Sequence, residues 1–175
     1  DIEVLCGDAA LLGGDASGAL TLYRSAAQVR WTAALSERIA AAETRLGHED
    51  AAEAELTAYL AQHPREGALA AILGRAAATR GDWRRAASLL GHAAQLADGA
   101  RDPRLIADLA EAQLHLVDGT RALANARRAY ALQRASPRAA RVLAAVLEAS
   151  GTHANEAAIL LAKARALEQP ALALR

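Results

Sequence analysis

Residues 73–97 read LGRAAATRGDWRRAASLLGHAAQLA, and their apolar positions recur every three or four residues on either side of one polar break. Ala86, Leu90 and Ala93 fall on one helical face, and Gly81-Asp82-Trp83 interrupts the run before them. The pattern predicts two helices joined by a tight turn. The same face is drawn by Ala19, Tyr23 and Ala26, by Ala52, Leu56 and Tyr59, and by Ala157, Leu161 and Ala164. Each set follows a comparable break, and the breaks sit at Gly14-Asp15, Gly47, Gly81-Asp82, Val117-Asp118 and Gly151. Successive breaks are 33, 34, 36 and 34 residues apart. Two helical runs in a period near 34 are the mark of a repeat array.

The break residues suit their places. Glycine just past a helix accepts φ > 0 and ends it. Asp15, Asp82 and Asp118 then offer a side-chain oxygen to the free N–H groups of the next helix. Pro64, Pro103, Pro137 and Pro170 all fall near the end of one unit or the start of the next, where a first-turn proline costs little. Gly74 stands in mid-helix, a position that costs about 0.5–1 kcal/mol relative to Ala. A side chain there would hold the paired helices apart. Gly7, Ala40, Ala110 and Ala144 hold the same place in the other units, and all are small.

Composition agrees with an all-α chain. Hydrophobic residues make up 53% of the 175 positions but aromatics only 3%, with no Phe or Met, so the apolar content is mostly Ala and Leu, strong helix formers. With one cysteine no intrachain disulfide forms, and Cys6 is expected to be a small buried hydrophobe. No run of about 18 uncharged apolar residues is present, so direct membrane insertion is not expected. A sequence opening on Asp1 without methionine reads as a fragment of a longer chain. Its 19 Arg against one Lys, with abundant Ala, suggest GC-rich bacterial coding.

These motifs resemble the tetratricopeptide repeat family. The third unit carries the resemblance best, through Leu73-Gly74, Gly81-Asp82-Trp83, Ala86, Leu90 and Ala93. The chain divides into about five units, residues 1–32, 33–65, 66–101, 102–136 and 137–170, forming a single repeat domain. Val117 replaces a turn glycine, and Trp31 stands where the first unit's closing proline would be. Ala10, Glu43, Ala77, Gln113 and Leu147 replace the large aromatic usual in the first helix. The resemblance implies an α-solenoid, a right-handed superhelix of helix pairs whose first helices line a concave groove. It also implies a non-enzymatic scaffold that binds a peptide or a partner's segment there. The alternatives are the adaptor portion of a larger enzyme and a structural component of a bacterial envelope or secretion assembly. On this register the groove residues are Arg45, Arg75, Arg104, Glu111, Arg138 and Arg141, with Glu37, Thr44, Thr79 and His115 beside them. Asp8, Ala41, Arg75 and Glu111 stand where chaperone-binding members carry a carboxylate-clamping Asn, so a chaperone tail is not the expected ligand.

Charge sharpens the partner. The formal net charge is +0, which gives no global pull toward nucleic acid. Residues 1–62 carry 10 acidic and 4 basic side chains, and residues 63–175 carry 10 and 16. Residues 119–147 hold Arg121, Arg127, Arg128, Arg134, Arg138 and Arg141 without one Asp or Glu. An acidic peptide, or an acidic surface of a partner, is therefore expected near the fourth and fifth units, with Arg104, Arg138 and Arg141 as contacts and Arg75 reaching from the third unit. Nucleic acid is not, since only Tyr130 could stack on a base in this region. Weak head-to-tail self-association of acidic and basic halves is a further expectation, joined by the apolar Leu172 and Leu174 of the closing QPALALR. No cofactor motif is present. Asp108, Glu111 and His115 share one helix face, but a metal site would draw ligands from more than one element, so they read as a polar surface.

Overall fold

The structure, a computed structural model, describes residues 2–96, 99–151 and 153–168. Among these lie ten α-helices and no strand: α1 (Ile2–Leu12), α2 (Ala16–Val29), α3 (Ala33–Arg45), α4 (Glu49–Gln62), α5 (Gly67–Thr79), α6 (Trp83–Gln95), α7 (Pro103–His115), α8 (Gly119–Leu132), α9 (Pro137–Ser150) and α10 (Ala154–Glu168). The helices form successive pairs. α1 packs on α2, α3 on α4, α7 on α8 and α9 on α10, and α5 meets α6 where Gly74 lies against Leu90. Contacts group the chain into two compact units, residues 1–69 and 70–175.

The turns are built as the sequence predicts. Gly14, Gly47, Gly81 and Gly151 have φ of 88°, 79°, 79° and 69°. Asp15, Asp82 and Asp118 accept hydrogen bonds from the N–H groups of Gly18, Arg85 and Arg121 at 2.8, 3.1 and 3.2 Å. Thr32, Asp102 and Ser136 cap α3, α7 and α9 in the same way. Val117 holds the glycine position with φ of 60°, the one non-glycine residue among those described with positive φ. Its β-branched side chain is unfavourable there and 90% exposed, so it gains little from packing. Pro103 and Pro137 open α7 and α9 in their first turns. Pro64 lies in the turn before α5 and not inside that helix.

In the first unit the core joins Ala19, Leu20, Tyr23 and Ala26 of α2 to Leu35, Ile39 and Ala42 of α3. Trp31 closes α2 onto α4, its ring edge-on to Tyr59 at 5.0 Å and its Nε1–H donating to Glu55 at 2.8 Å. In the second unit the core runs from Ile106 and Ala110 through Ala122, Ala126 and Ala129 to Leu143, Ala144, Leu147 and Leu160. Buried alanine is frequent because the helices approach closely. A Cβ on Gly74 would lie 2.7 Å from Leu90 Cγ and 3.2 Å from the Leu90 backbone nitrogen. A Cβ on Gly7 would lie 2.5 Å from the Tyr23 ring. Ala40, Ala110 and Ala144, at the equivalent places, are all buried.

Two expectations are corrected, and a third is not reached by the described residues. Cys6 is exposed, because Gly7 beside it takes the place that faces Tyr23. In α10 Ala157 and Ala164 are buried as expected, but the leucine buried between them is Leu160, with Leu161 partly covered at the edge of the same core. Pro170, Leu172 and Leu174 lie outside the described residues.

Two outcomes follow for urea melts. Gly74→Leu should lower stability by about 1–3 kcal/mol, since the added atoms meet both the Leu90 side chain and its backbone. Val117→Gly should raise stability by about 1 kcal/mol by relieving a left-handed residue at an exposed site. An unchanged melt for Gly74→Leu would mean that the helices can separate without cost, and a destabilised Val117→Gly would mean that the turn does not strain its valine.

Candidate functional site

The sequence-predicted groove residues separate into two groups. Arg75 of α5, Arg104 and Glu111 of α7 and Arg138 of α9 come together around one open cavity of about 720 Å³. All three helices are the first members of their pairs. Asp108 of α7 is the centre of the arrangement. Arg75 Nε donates to Asp108 Oδ2 at 2.6 Å, and Arg138 donates to Asp108 Oδ1 through Nε at 3.1 Å. Arg138 Nη2 is also 2.5 Å from Asp108 Oδ1 and 2.8 Å from Glu111 Oε2. The Asp108 side chain is only 11% exposed, so its charge relies on both guanidinium groups for neutralisation. Trp83 and Thr79 complete the wall, and the Trp83 indole stacks on His115 at 3.7 Å with 7° between the planes.

The acid-free run of sequence is thus not acid-free in space. Arg138 meets Asp108 and Glu111 from α7, and Arg141 bonds Glu168 of α10. Exposed pairs of this kind contribute about 0–1 kcal/mol each, but they fix where the guanidinium groups stand. Arg104 is different. Its backbone N–H binds the capping Asp102, and its side chain makes no ion pair among the described residues. Arg141 does not line the cavity. Arg45, in the first unit, donates Nη1 to the Leu11 carbonyl at 2.7 Å. Glu37 is exposed, and the Thr44 and Thr79 hydroxyls donate to carbonyls one turn back in their own helices.

Asp108 and Trp83 were not among the predicted groove residues. The separation of 33 residues between Arg75 and Asp108, close to one repeat, was the available signal. The grouping of Asp108, Glu111 and His115 does not survive as a unit, because arginines engage the two carboxylates and the imidazole turns onto Trp83. Tyr130 is also occupied: Lys163 Nζ lies 5.0 Å from its ring centroid and donates to its hydroxyl at 2.7 Å. Among the described residues no helix is long and apolar enough to cross a membrane.

Asp8, at the clamp position of the first unit, is turned to internal use. It accepts from Arg38 Nε at 2.8 Å and from the Tyr23 hydroxyl at 2.7 Å. The hydrogen bonds from Arg38 and then Tyr23 hold its carboxyl below the usual aspartate range, and the same contact raises Arg38. Burial first, and the Asp8 hydrogen bond second, push the Tyr23 phenol up to about 12.

Solved structures of MamA share this fold. One MamA structure, of a RS-1 ArsTM double mutant, matches with a TM-score of 0.82 at 16% identity, over 97% of this chain and 94% of that one. A crystal structure of MamA protein matches at 0.80 and 17% identity over 99% and 94%, and MamA AMB-1 at 0.76 and 22% identity over 97% and 99%. No family model matches the chain, and no curated protein sequence does. The fold is the tetratricopeptide-like helical repeat seen in MamA.

The Asp8–Tyr23 contact sets two limits on pH stability. Asp8 has a lowered native pKa, so its contribution is present above the unfolded value near 3.8 and is lost as pH falls below it. Tyr23 has a raised native pKa, so its contribution is present below 10.0 and is lost as pH climbs toward about 12. Phenolate absorbance should show one of the three tyrosines ionising near 12, and Tyr23→Phe should remove that step. A late step that persists in Tyr23→Phe would contradict the assignment.

Proposed function

We propose that the protein is a non-enzymatic interaction scaffold that takes an acidic, extended segment of another protein along α5, α7 and α9. The observation that carries this reading is the open, arginine-framed cavity of about 720 Å³ on the first helices of three successive pairs. Each guanidinium carries five N–H donors. Arg75 and Arg138 use only some of theirs on Asp108 and Glu111, and those acids hold the remaining donors in place toward the cavity. A partner carboxylate then meets groups whose rotamers are already restricted, which lowers the entropy cost of binding. Arg104 supplies a cation that makes no ion pair among the described residues. Trp83 offers a flat apolar wall for the segment's own side chains.

Arg104 is also the cleanest residue to test. Reversing Arg138 would leave Asp108 without half of its compensation, whereas reversing Arg104 disturbs no ion pair among the described residues. Peptides selected from a displayed library on the wild-type protein should bind Arg104→Glu at least fivefold more weakly. Arg134→Glu, outside the cavity, should leave their affinity unchanged. Affinity for the wild type should fall as salt rises, because screening acts over about 8 Å at physiological ionic strength. Equal binding to wild type and Arg104→Glu would show that the segment lies elsewhere.

A further inference from the structure

A second polar hollow in the unit of residues 70–175 lies between α6, α7 and α8, and it shares no lining residue with the groove. It encloses about 600 Å³. α7 turns Leu109 and Gln113 to it and Asp108 and Glu111 to the groove. At about 100° per residue these two sets stand on opposed sides of the helix. Arg121, Arg128, His92 and Asn125 frame the hollow, and none of its lining residues is Asp or Glu.

Gly91 forms part of its wall, and packing does not explain this glycine. A Cβ there would meet only Leu109 Cδ1, at 3.9 Å, an ordinary contact. Gly74 in the preceding helix has no such freedom. A mid-helix glycine costs about 0.5–1 kcal/mol, and here the visible return is open space.

The repeat shows what normally occupies that space. Gly91 stands ten residues after the turn residue Gly81, as Arg24 does after Gly14. Gln113 stands four residues before Val117, as Glu43 does before Gly47. In the first unit Arg24 Nη2 reaches Glu43 Oε1 at 2.5 Å and His48 Nδ1 reaches Glu43 Oε2 at 2.9 Å, with Glu43 only 3% exposed. That slot is filled by a carboxylate held between two partners. At the equivalent slot in the second unit the arginine is replaced by glycine and the carboxylate by a neutral amide. Neither of these two positions carries a carboxylate, the space is open, and among the described residues two arginines line it.

Both arginines keep donors to spare. Arg128 uses Nη2 on the Ala100 carbonyl, and Arg121 Nε lies 3.5 Å from Asp118. Asn125 Nδ2 donates to Gln113 Oε1 at 2.9 Å, a bond that uses the Gln113 carbonyl and not its amide N–H groups. Guanidinium forks and amide donors suit an oxyanion, and the volume exceeds what one carboxylate needs. We propose that this hollow binds a phosphate group, presented either as a free phosphate or as a phosphorylated serine side chain. The proposal is independent of the peptide groove.

The test uses calorimetric titration and thermal melts with inorganic phosphate, against sodium chloride and sodium acetate at matched ionic strength. Phosphate should bind the wild type and raise its Tm beyond either control. The double variant Arg121→Ala/Arg128→Ala should bind at least tenfold more weakly. The double variant Gly91→Arg/Gln113→Glu rebuilds the pair found in the first unit. It should keep its helical circular dichroism and lose phosphate binding. A phosphoserine peptide that binds more tightly than inorganic phosphate, with its unphosphorylated form inert, assigns the site to a modified partner; inorganic phosphate binding as tightly assigns it to the free anion. A wild type that responds to phosphate no more than to the matched salts overturns the proposal. So does a folded Gly91→Arg/Gln113→Glu variant that binds as the wild type does. Should that variant fail to fold, undiminished binding by Arg121→Ala/Arg128→Ala overturns it instead.

Discussion

The fold depends on how closely its paired helices approach. Gly7 against Tyr23 and Gly74 against Leu90 leave no room for a Cβ without displacing the opposing side chain. Where a pair can stand slightly farther apart, Ala40, Ala110 and Ala144 take the same role. This constraint explains the composition. A core with 3% aromatic residues overall cannot fill wide gaps, so it closes them by bringing backbones together over alanine. It also explains the turns, because two helices this close need a connection of a few residues that reverses direction at once. A left-handed residue followed by an N-cap supplies that reversal.

With the backbones fixed, the first helices of successive pairs present their polar faces to a common cavity. Asp108 shows what this does. It is partly buried, and it is tolerable only because α5 and α9 each bring an arginine to it. The same network holds Arg75 and Arg138 in a defined pose. The acidic residues of α7 therefore reduce the positive charge of the groove while ordering the arginines that remain.

The two units treat the same repeat position in opposite ways. Around Glu43 the slot is closed by Arg24 and His48. Around Gln113 it is open over Gly91 and bordered by Arg121 and Arg128. The backbone plan is conserved between these slots, so the difference lies in side chains alone. Replacement of an internal ion pair by a cationic hollow changes little in helix packing, which is why a repeat array can vary such positions freely.

The sequence by itself determined the helices, their turns and the close-packed positions. Those features rest on interactions within about one period: caps three residues away, apolar recurrence at three and four, and a small residue at one place in each unit. Even the departure at Val117 was legible, since register alone required a left-handed residue there. The sequence could not determine which charges are free. The run from Arg121 to Arg141 looked uncompensated because Asp108, Glu111 and Glu168 lie 27 to 30 residues away along the chain from the arginines they pair with. Cys6 was misplaced for a related reason: which of two adjacent residues faces inward is set by the neighbouring helix, and Tyr23 of α2 takes the place beside Gly7. Only the tertiary structure decided which arginines line the cavity, which of them pair with acids among the described residues, and where a hollow was left, because charge and volume are compensated across helices and not along them.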